Sequence, residues 1–239
     1  MTPQFNEIWV YLSASPLLGL TVTLLAYQAA FWLYRRSGMN PLANPVLIAV
    51  TILVLLLTLT ATSYETYFAG AQFVHFLLGP ATVALAIPLY TQFRRVRSML
   101  LPVVAGLIAG SLTAALSAIA IARLFGASLP TQLSLAPKSV TTPIAMGIAE
   151  RIGGIPSLTA VLVIVTGILG AVGARYVLDA IKVRDPAIRG FAIGVAAHGI
   201  GTARAFQVSE QAGAFAALAM GLNGALTALL LPMLLGWMR

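Results

Sequence analysis

The stretch Pro137-Lys138-Ser139-Val140-Thr141-Thr142-Pro143 interrupts a chain that otherwise consists mostly of long apolar runs. Proline removes a backbone donor and clashes with the preceding turn, so two prolines in seven residues argue against a continuous helix. A lysine at membrane depth is costly. Such a backbone is tolerated in a membrane protein where it is buried in protein or lines a water-filled cavity. The stretch therefore predicts one half of a binding site.

The composition is that of a polytopic membrane protein. Of 239 residues, 59% are hydrophobic and 8% are charged, against about 25% charged residues in an average soluble domain. The sequence has no cysteine and two histidines, which excludes disulfides and makes a metal site unexpected. No nucleophile, base and orienting residue form a recognisable set, so we expect neither an enzyme nor a cofactor.

We predict a single all-α membrane domain over residues 1–239, with about six to eight membrane segments that include broken or re-entrant helices. Apolar runs place these segments at residues 17–34, 45–62, 71–93, 99–124, 129–152, 155–176, 190–208 and 210–237. The run at 71–93 is less regular, since it contains Gly79-Pro80 and Pro88. The aromatic stretch 63–67 is expected to be an interfacial loop.

The formal charge of +8 comes from basic residues at the ends of apolar runs, which indicates membrane topology and not a nucleic-acid partner. The N-terminus lacks a basic region before its apolar run, so a cleaved signal peptide is not expected. With the N-terminus outside, the basic loops at 35–36, 94–97 and 182–189 all fall inside only if residues 129–152 enter the membrane and return. The charge pattern therefore favours a re-entrant hairpin there.

The order of clean and broken segments suggests an internal repeat. A broken segment followed by a clean helix occurs at residues 71–124 and again at 190–237. Interrupted segments at matching positions of two halves are typical of transporters whose site lies at the breaks. We therefore predict repeat halves at 1–126 and 127–239, although similar hydropathy can also arise by chance.

A second polar stretch, His198-Gly199-Ile200-Gly201-Thr202-Ala203-Arg204, is predicted to be the other half of the site. Its glycines permit a non-helical backbone and the close approach of a ligand. Arg204 can bind a carboxylate in a bidentate manner, and His198 can donate to a ligand or carry a proton. The predicted binding residues are Lys138, Ser139, Thr141, Thr142, His198, Gly199, Gly201, Thr202, Arg204 and, from the first half, Thr82.

Each of these residues also has a structural interpretation. Lys138 can extend from an interfacial loop to the membrane surface, and Arg204 can form a structural ion pair. Glu150 and Glu210 are the candidate charge-balancing or coupling residues, and Glu150 can equally be interfacial. Thr142 is expected to cap a helix that begins at Pro143. His75 is expected to be a core histidine and Asp179 an interfacial residue.

Four motifs resemble the LrgB/CidB family of antiholin-like bacterial inner-membrane proteins. They start at Leu78 (LLGPATVALAIPLY), Pro137 (PKSVTTPIAM), Ile152 (IGGIPSLTA) and His198 (HGIGTARA). The resemblance extends over nearly the whole chain, and the motifs occur in the same order. One departure is Gly147, where the family pattern favours a larger and often acidic residue.

The resemblance implies two functions of different classes. One is regulation of murein hydrolases and cell lysis, by analogy with phage holins. The other is transport of small monocarboxylates such as glycolate, glycerate or pyruvate, because the plant plastid glycolate/glycerate transporter resembles a fusion of LrgA-like and LrgB-like parts. We expect transport, with a proton or sodium as co-ion left open. The resemblance implies an LrgA-like membrane partner and a place in the bacterial inner membrane, with the lipid bilayer as surroundings. A homodimer is expected from the small-residue faces, such as Gly106 to Gly110, that suit close helix packing.

Overall fold

The computed structural model describes residues 16–235, and every regular element in that range is helical. The contacts divide this range into two compact units that meet in the chain between Ala84 and Leu85. The first unit contains α1 (Pro16–Arg36), a short 3₁₀ helix (Pro41–Ala43), α2 (Pro45–Leu59), α3 (Tyr64–Phe76) and α4 (Leu78–Ala84). The second contains α5 (Ala86–Thr91), α6 (Phe93–Ser98), α7 (Leu100–Leu124), α8 (Leu129–Leu135), α9 (Thr142–Ile152), α10 (Pro156–Ala180), α11 (Pro186–Val208) and α12 (Glu210–Leu235).

Four of the described helices are long and apolar enough to cross a membrane, which makes this chain a membrane protein. Their candidate spans are Leu17–Arg36, Leu100–Leu124, Pro156–Ala180 and Glu210–Leu235. Helix α2 is apolar but has 15 residues, which is short for a bilayer that needs about 20. The described residues thus contain four helices of sufficient length and hydropathy, and the prediction of six to eight segments is not confirmed. Three of the predicted segments are divided into shorter or kinked helices.

The aromatic stretch is helical from Tyr64 onward and is not a loop, so this expectation was wrong. Helix α3 begins at Tyr64, and Ser63 precedes it with the geometry of a helix cap: its Oγ accepts from the Thr66 amide at 3.2 Å. Gly19 of α1 lies against this helix, since a Cβ there would stand 2.8 Å from the Tyr67 carbonyl oxygen. A capped N-terminus and a close helix contact together outweigh the loop preference of the polar residues.

Helices α11 and α12 form the closest helix pair of the second unit. A Cβ on Gly190 would stand 2.0 Å from the Ala212 carbonyl oxygen, and one on Gly194 would stand 2.2 Å from the Ala216 carbonyl oxygen. Small residues let helix backbones approach in this way, and such contacts drive association where lipid removes the hydrophobic driving force. The backbones of α11 and α12 are therefore in direct contact at these two glycines.

Residues 129–152 form two short helices separated by a bend. Helix α8 has seven residues and α9 has eleven, and α9 ends at Gly153, whose φ of 91° permits the left-handed turn. After that turn the chain returns to the end of α8, where the Ile155 amide donates to Ser134 Oγ at 2.7 Å. Thr159 of α10 also donates to the Ser134 carbonyl, at 3.1 Å. The end of α8 and the start of α10 therefore lie side by side, with the bend and α9 between them in the sequence.

Helix α11 is broken near its middle. Ala197 has φ −126° and ψ 16°, and His198 has φ 40° and ψ −135°, so neither residue is helical. A positive φ is uncommon outside glycine and carries strain in a larger residue. The glycine-rich polar stretch that we predict to be irregular therefore contains a break, located at His198.

Candidate functional site

A cavity of about 860 Å³ lies within the second unit. Its walls come from α7, α10, α11 and α12, together with the bend between α8 and α9. The lining residues on α7, with its N-cap Met99, are Met99, Pro102, Val103, Gly106, Gly110 and Ala114. These positions lie on one face of the helix, because they are spaced mostly three or four residues apart. The polar side chains among the lining residues are Lys138, Ser139 and Thr166.

Lys138 brings the positive charge to this cavity. Its side chain is half-buried, and Nζ donates to the neighbouring Ser139 Oγ at 3.3 Å. Asp179 and Asp185 form ion pairs with arginines. Lys138 has no such ion pair with an acidic side chain within residues 16–235. A buried charge without an ionic partner is unfavourable, so an anionic ligand would supply the missing partner.

The bend that carries Lys138 is held by the helices around it. Ser139 and Val140 are buried, as are Ala136 and Pro137 before the lysine. Helix α9 is preceded by Thr141 as its N-cap residue, one position before the capping threonine that we predict, and the Thr141 side chain forms no capping hydrogen bond. Thr141 and Thr142 are half-buried and are not among the residues that line the cavity.

His198 is buried and its ring is used to join two helices. Its Nε2 donates to the Val163 carbonyl of α10 at 2.9 Å, and its own carbonyl accepts from Thr202 Oγ1 at 2.8 Å. Gly167 makes room for the ring, since a Cβ there would stand 2.6 Å from His198 Cε1. His198 is thus part of the helix break. None of the predicted ligand residues His198, Gly199, Gly201 and Thr202 lines the cavity.

Arg204 lies in the second half of α11, six residues after the break. It is half-buried, and Nη1 donates to Gln207 Oε1 at 3.3 Å. It does not line the cavity that Lys138 enters. Glu150 and Glu210 are exposed, so neither is a buried charge partner for Lys138. The side chains of Thr82 and His75 lie outside the described part of the structure.

Asn223 of α12 connects the two irregular stretches, and the sequence analysis does not identify it. Its Nδ2 donates to the Ser139 carbonyl at 3.3 Å and to the Val195 carbonyl at 3.1 Å. Val195 precedes the break in α11 by two residues, so this hydrogen bond lies beside the irregular backbone. A lone asparagine in the apolar run 210–237 is the signal that points to this residue, because polar side chains within spans are rare and often functional.

The hydrogen bonds of Asn223 continue into α7. Thr227 Oγ1 donates to Asn223 Oδ1 at 3.4 Å and lies 3.1 Å from Ser111 Oγ. All three side chains are buried. This polar chain ties α7, α12 and the Lys138 bend together beside the cavity, and it fixes the position of the lysine relative to α11.

We expect Asn223→Leu to lower the free energy of unfolding by about 1–3 kcal/mol, because the Ser139 and Val195 carbonyls would be buried without this donor. The measurement is chemical or thermal unfolding of the protein in detergent. Thr227→Val is the matched control, since it removes a hydroxyl from the same chain but leaves both carbonyls bonded to Asn223. Equal stability of Asn223→Leu and the wild type would contradict this role.

The end of the cavity near Met99 and Ala187 adjoins a basic surface. Arg95 of α6 forms an ion pair with Asp185, whose Oδ1 caps α11 by accepting from the Ala187 amide at 2.8 Å. Asp179 pairs with Arg189 at 2.7 Å, in keeping with the interfacial position that we predict for it. Among residues 16–235, no group of three or more histidine and acidic side chains is arranged to hold a metal ion.

Gly147 of α9 is the position at which the sequence analysis expects a larger residue in the family. It is exposed, and a Cβ built on it would meet nothing within 4 Å. The glycine is therefore not required by packing in this chain, and a larger side chain would fit there.

Comparison with known proteins gives one consistent family. Residues 23–237 match the model of the LrgB-like family. YwbG of Bacillus subtilis (strain 168), called an uncharacterized protein, is 36% identical over 93% of this chain and 98% of its own. YxaC of the same strain, also called uncharacterized, is 36% identical over 85% and 88%. The antiholin-like protein LrgB of Bacillus cereus (strain B4264) is 31% identical over 92% and 95%.

No solved structure matches the chain. The family assignment thus comes from sequence, and it agrees with the order of the four motifs. The match covers the Lys138 bend, the break in α11 and all of α12. This chain belongs to the LrgB-like family.

Proposed function

We propose that this membrane protein carries small organic anions, with Lys138 as the cationic contact for the substrate. The observation that carries the proposal is a half-buried lysine, without a carboxylate partner in the described chain, that lines a cavity of about 860 Å³. Burying a charge costs free energy unless it is paired. A bound carboxylate would offset that cost with a charge-assisted hydrogen bond from Nζ, and the Ser139 hydroxyl beside it can contribute a second one.

The proposal includes a re-entrant hairpin at residues 129–152. Ser134 contacts Ile155 and Thr159 near the start of α10, whereas Lys138 shares the cavity with Thr166 and Gly170 near the middle of α10. If α10 spans the bilayer, the hairpin places Lys138 near mid-depth and returns the chain to the side from which it came. Broken segments of this kind hold the substrate site in many carriers.

Glycolate, glycerate and pyruvate are the substrates that the family resemblance suggests. A proton or sodium co-ion, a homodimer, an LrgA-like partner and placement in the bacterial inner membrane belong to the same proposal. His198 and Arg204 are proposed to act through the break in α11 and not as direct ligands, since the His198 ring already bonds to Val163. The predicted internal repeat, with halves 1–126 and 127–239, stays a prediction.

The second candidate function is a holin- or antiholin-like role in controlling murein hydrolases and cell lysis. The observation that favours it is the name of the Bacillus cereus relative, which is antiholin-like protein LrgB. The names of the relatives favour this role over transport, while the Lys138 cavity favours transport. The two roles differ in what crosses the membrane, because a holin lesion is wide and unselective and a carrier saturates.

Proteoliposomes separate the two candidates. We expect uptake of labelled pyruvate or glycolate that saturates with concentration, with no release of an encapsulated dye of several hundred daltons. Protein-free liposomes prepared in the same way give the background. Dye release without saturable uptake would contradict the carrier and support the lesion-forming alternative.

A further inference from the structure

We infer that the anion site at Lys138 also takes anions with an extended apolar body, so that its substrate class extends from short monocarboxylates to amphiphilic ones. This inference rests on the proposed function and specifies the substrate of the same site. It comes from the length, the lining and the wall of the cavity beyond the lysine.

The cavity is much longer than the space that one carboxylate beside Lys138 would occupy. Its lining residues on α7 extend from Met99 to Ala114, a distance of about 22 Å at 1.5 Å per residue. Ala114 also lies beside Ser139, because the two residues line a second, small cavity together. Lys138 therefore lies at the end of the cavity that is lined by Ala114. Most of the cavity extends from there towards Met99.

The lining is apolar along this length. Apart from the polar side chains of Lys138, Ser139 and Thr166, the cavity is lined by aliphatic residues, glycine, methionine, proline and phenylalanine. A volume of this size belongs to the range of sites for drug-sized ligands, about 300–1,000 Å³. If the cavity were filled with water, it would hold on the order of 30 water molecules. The apolar walls would offer those water molecules few hydrogen bonds. An apolar group is the better occupant.

Two glycines on α7, which have no side chain, border this space. A Cβ on Gly106 would stand 3.3 Å from Phe191 Cε1, and one on Gly110 would stand 3.0 Å from Val195 Cγ1. Larger residues at these two positions would reduce the room between α7 and α11. Gly106 lies eight residues from Ala114, about 12 Å along the helix, so a side chain there would meet the body of a ligand and not its carboxylate.

The test measures binding of acetate, butanoate, hexanoate and octanoate by equilibrium dialysis with the full chain in lipid nanodiscs. Binding to Lys138→Met nanodiscs is subtracted, because longer chains partition into lipid. We expect the Lys138-dependent Kd to fall by up to about fourfold for each added CH₂ group. We expect Gly106→Leu to remove this gain for octanoate. Gly173→Leu is the matched control, since a Cβ there meets nothing within 4 Å.

The outcomes separate the two proposals. Lys138-dependent binding that does not strengthen with chain length would overturn the amphiphilic substrate and leave the anion site intact. Equal strengthening in the Lys138→Met variant would show partition into lipid and would also overturn it. Absence of any Lys138-dependent binding, from acetate to octanoate and for pyruvate, would overturn the anion site itself.

Discussion

Lys138→Met is expected to abolish saturable uptake of organic anions in proteoliposomes while the protein remains folded. Methionine keeps the length and the apolar stem of the side chain but removes the charge. A hydrogen bond to a charged group contributes about 1.5–3 kcal/mol, so the loss corresponds to a roughly 10- to 150-fold weaker interaction with the anion. The measurement is initial uptake rate against concentration, with unfolding temperature recorded for each variant.

Lys182→Met is the matched control for this change. Lys182 and Lys138 are the two lysines of the chain, and Lys182 is exposed in the connection between α10 and α11. We expect it to retain uptake. Lys138→Met with wild-type uptake would contradict the site, whatever the behaviour of the control. A folded Lys138→Met protein is itself expected to be at least as stable as the wild type, since it no longer buries a charge.

Gly194→Leu is expected to prevent the protein from folding stably. The Cβ of any residue at this position would stand 2.2 Å from the Ala216 carbonyl oxygen and 2.8 Å from the Ala219 Cβ. Backbone cannot move aside as a flexible side chain does, so α11 and α12 would have to separate. Overpacking of a core usually costs about 1–3 kcal/mol and occasionally more, and a clash with backbone belongs at the upper end.

Gly221→Leu on α12 is the matched control, because a Cβ there meets nothing within 4 Å and the residue is exposed. The yield of monodisperse protein and the unfolding temperature in detergent provide the comparison. We expect Gly221→Leu to behave as the wild type. A Gly194→Leu protein with an unchanged unfolding temperature would contradict the close packing of α11 and α12.

The membrane class and the position of both backbone interruptions could be predicted from the sequence. Lipid cannot satisfy an exposed peptide group, so a cluster of prolines, hydroxyls and a lysine in an apolar chain necessarily marks special backbone. The break at His198 follows similarly from the glycines beside it. The number of long spans was less predictable, because hydropathy alone does not show whether an apolar run is one helix or several short ones.

The partners of the polar side chains could not be predicted. By residue type, His198 and Arg204 were as suitable for binding an anion as Lys138. In the structure the ring of His198 bonds to a carbonyl of α10, and Arg204 does not line the cavity. Asn223 connects the Lys138 bend to the break in α11 across more than 80 residues of sequence. Such pairings depend on how α10, α11 and α12 pack, and periodicity carries no information about that packing.

The most direct measurement is protection of a single cysteine placed beside Lys138. The chain has no cysteine of its own, so Ala114→Cys gives one reactive thiol in the cavity, next to the Lys138 bend. The rate of its alkylation by a small maleimide is measured with and without pyruvate or hexanoate. We expect the anion to slow alkylation, and to lose this effect when Lys138→Met is added. An alkylation rate that the anions leave unchanged, or that they slow equally without Lys138, would contradict an anion site at this lysine.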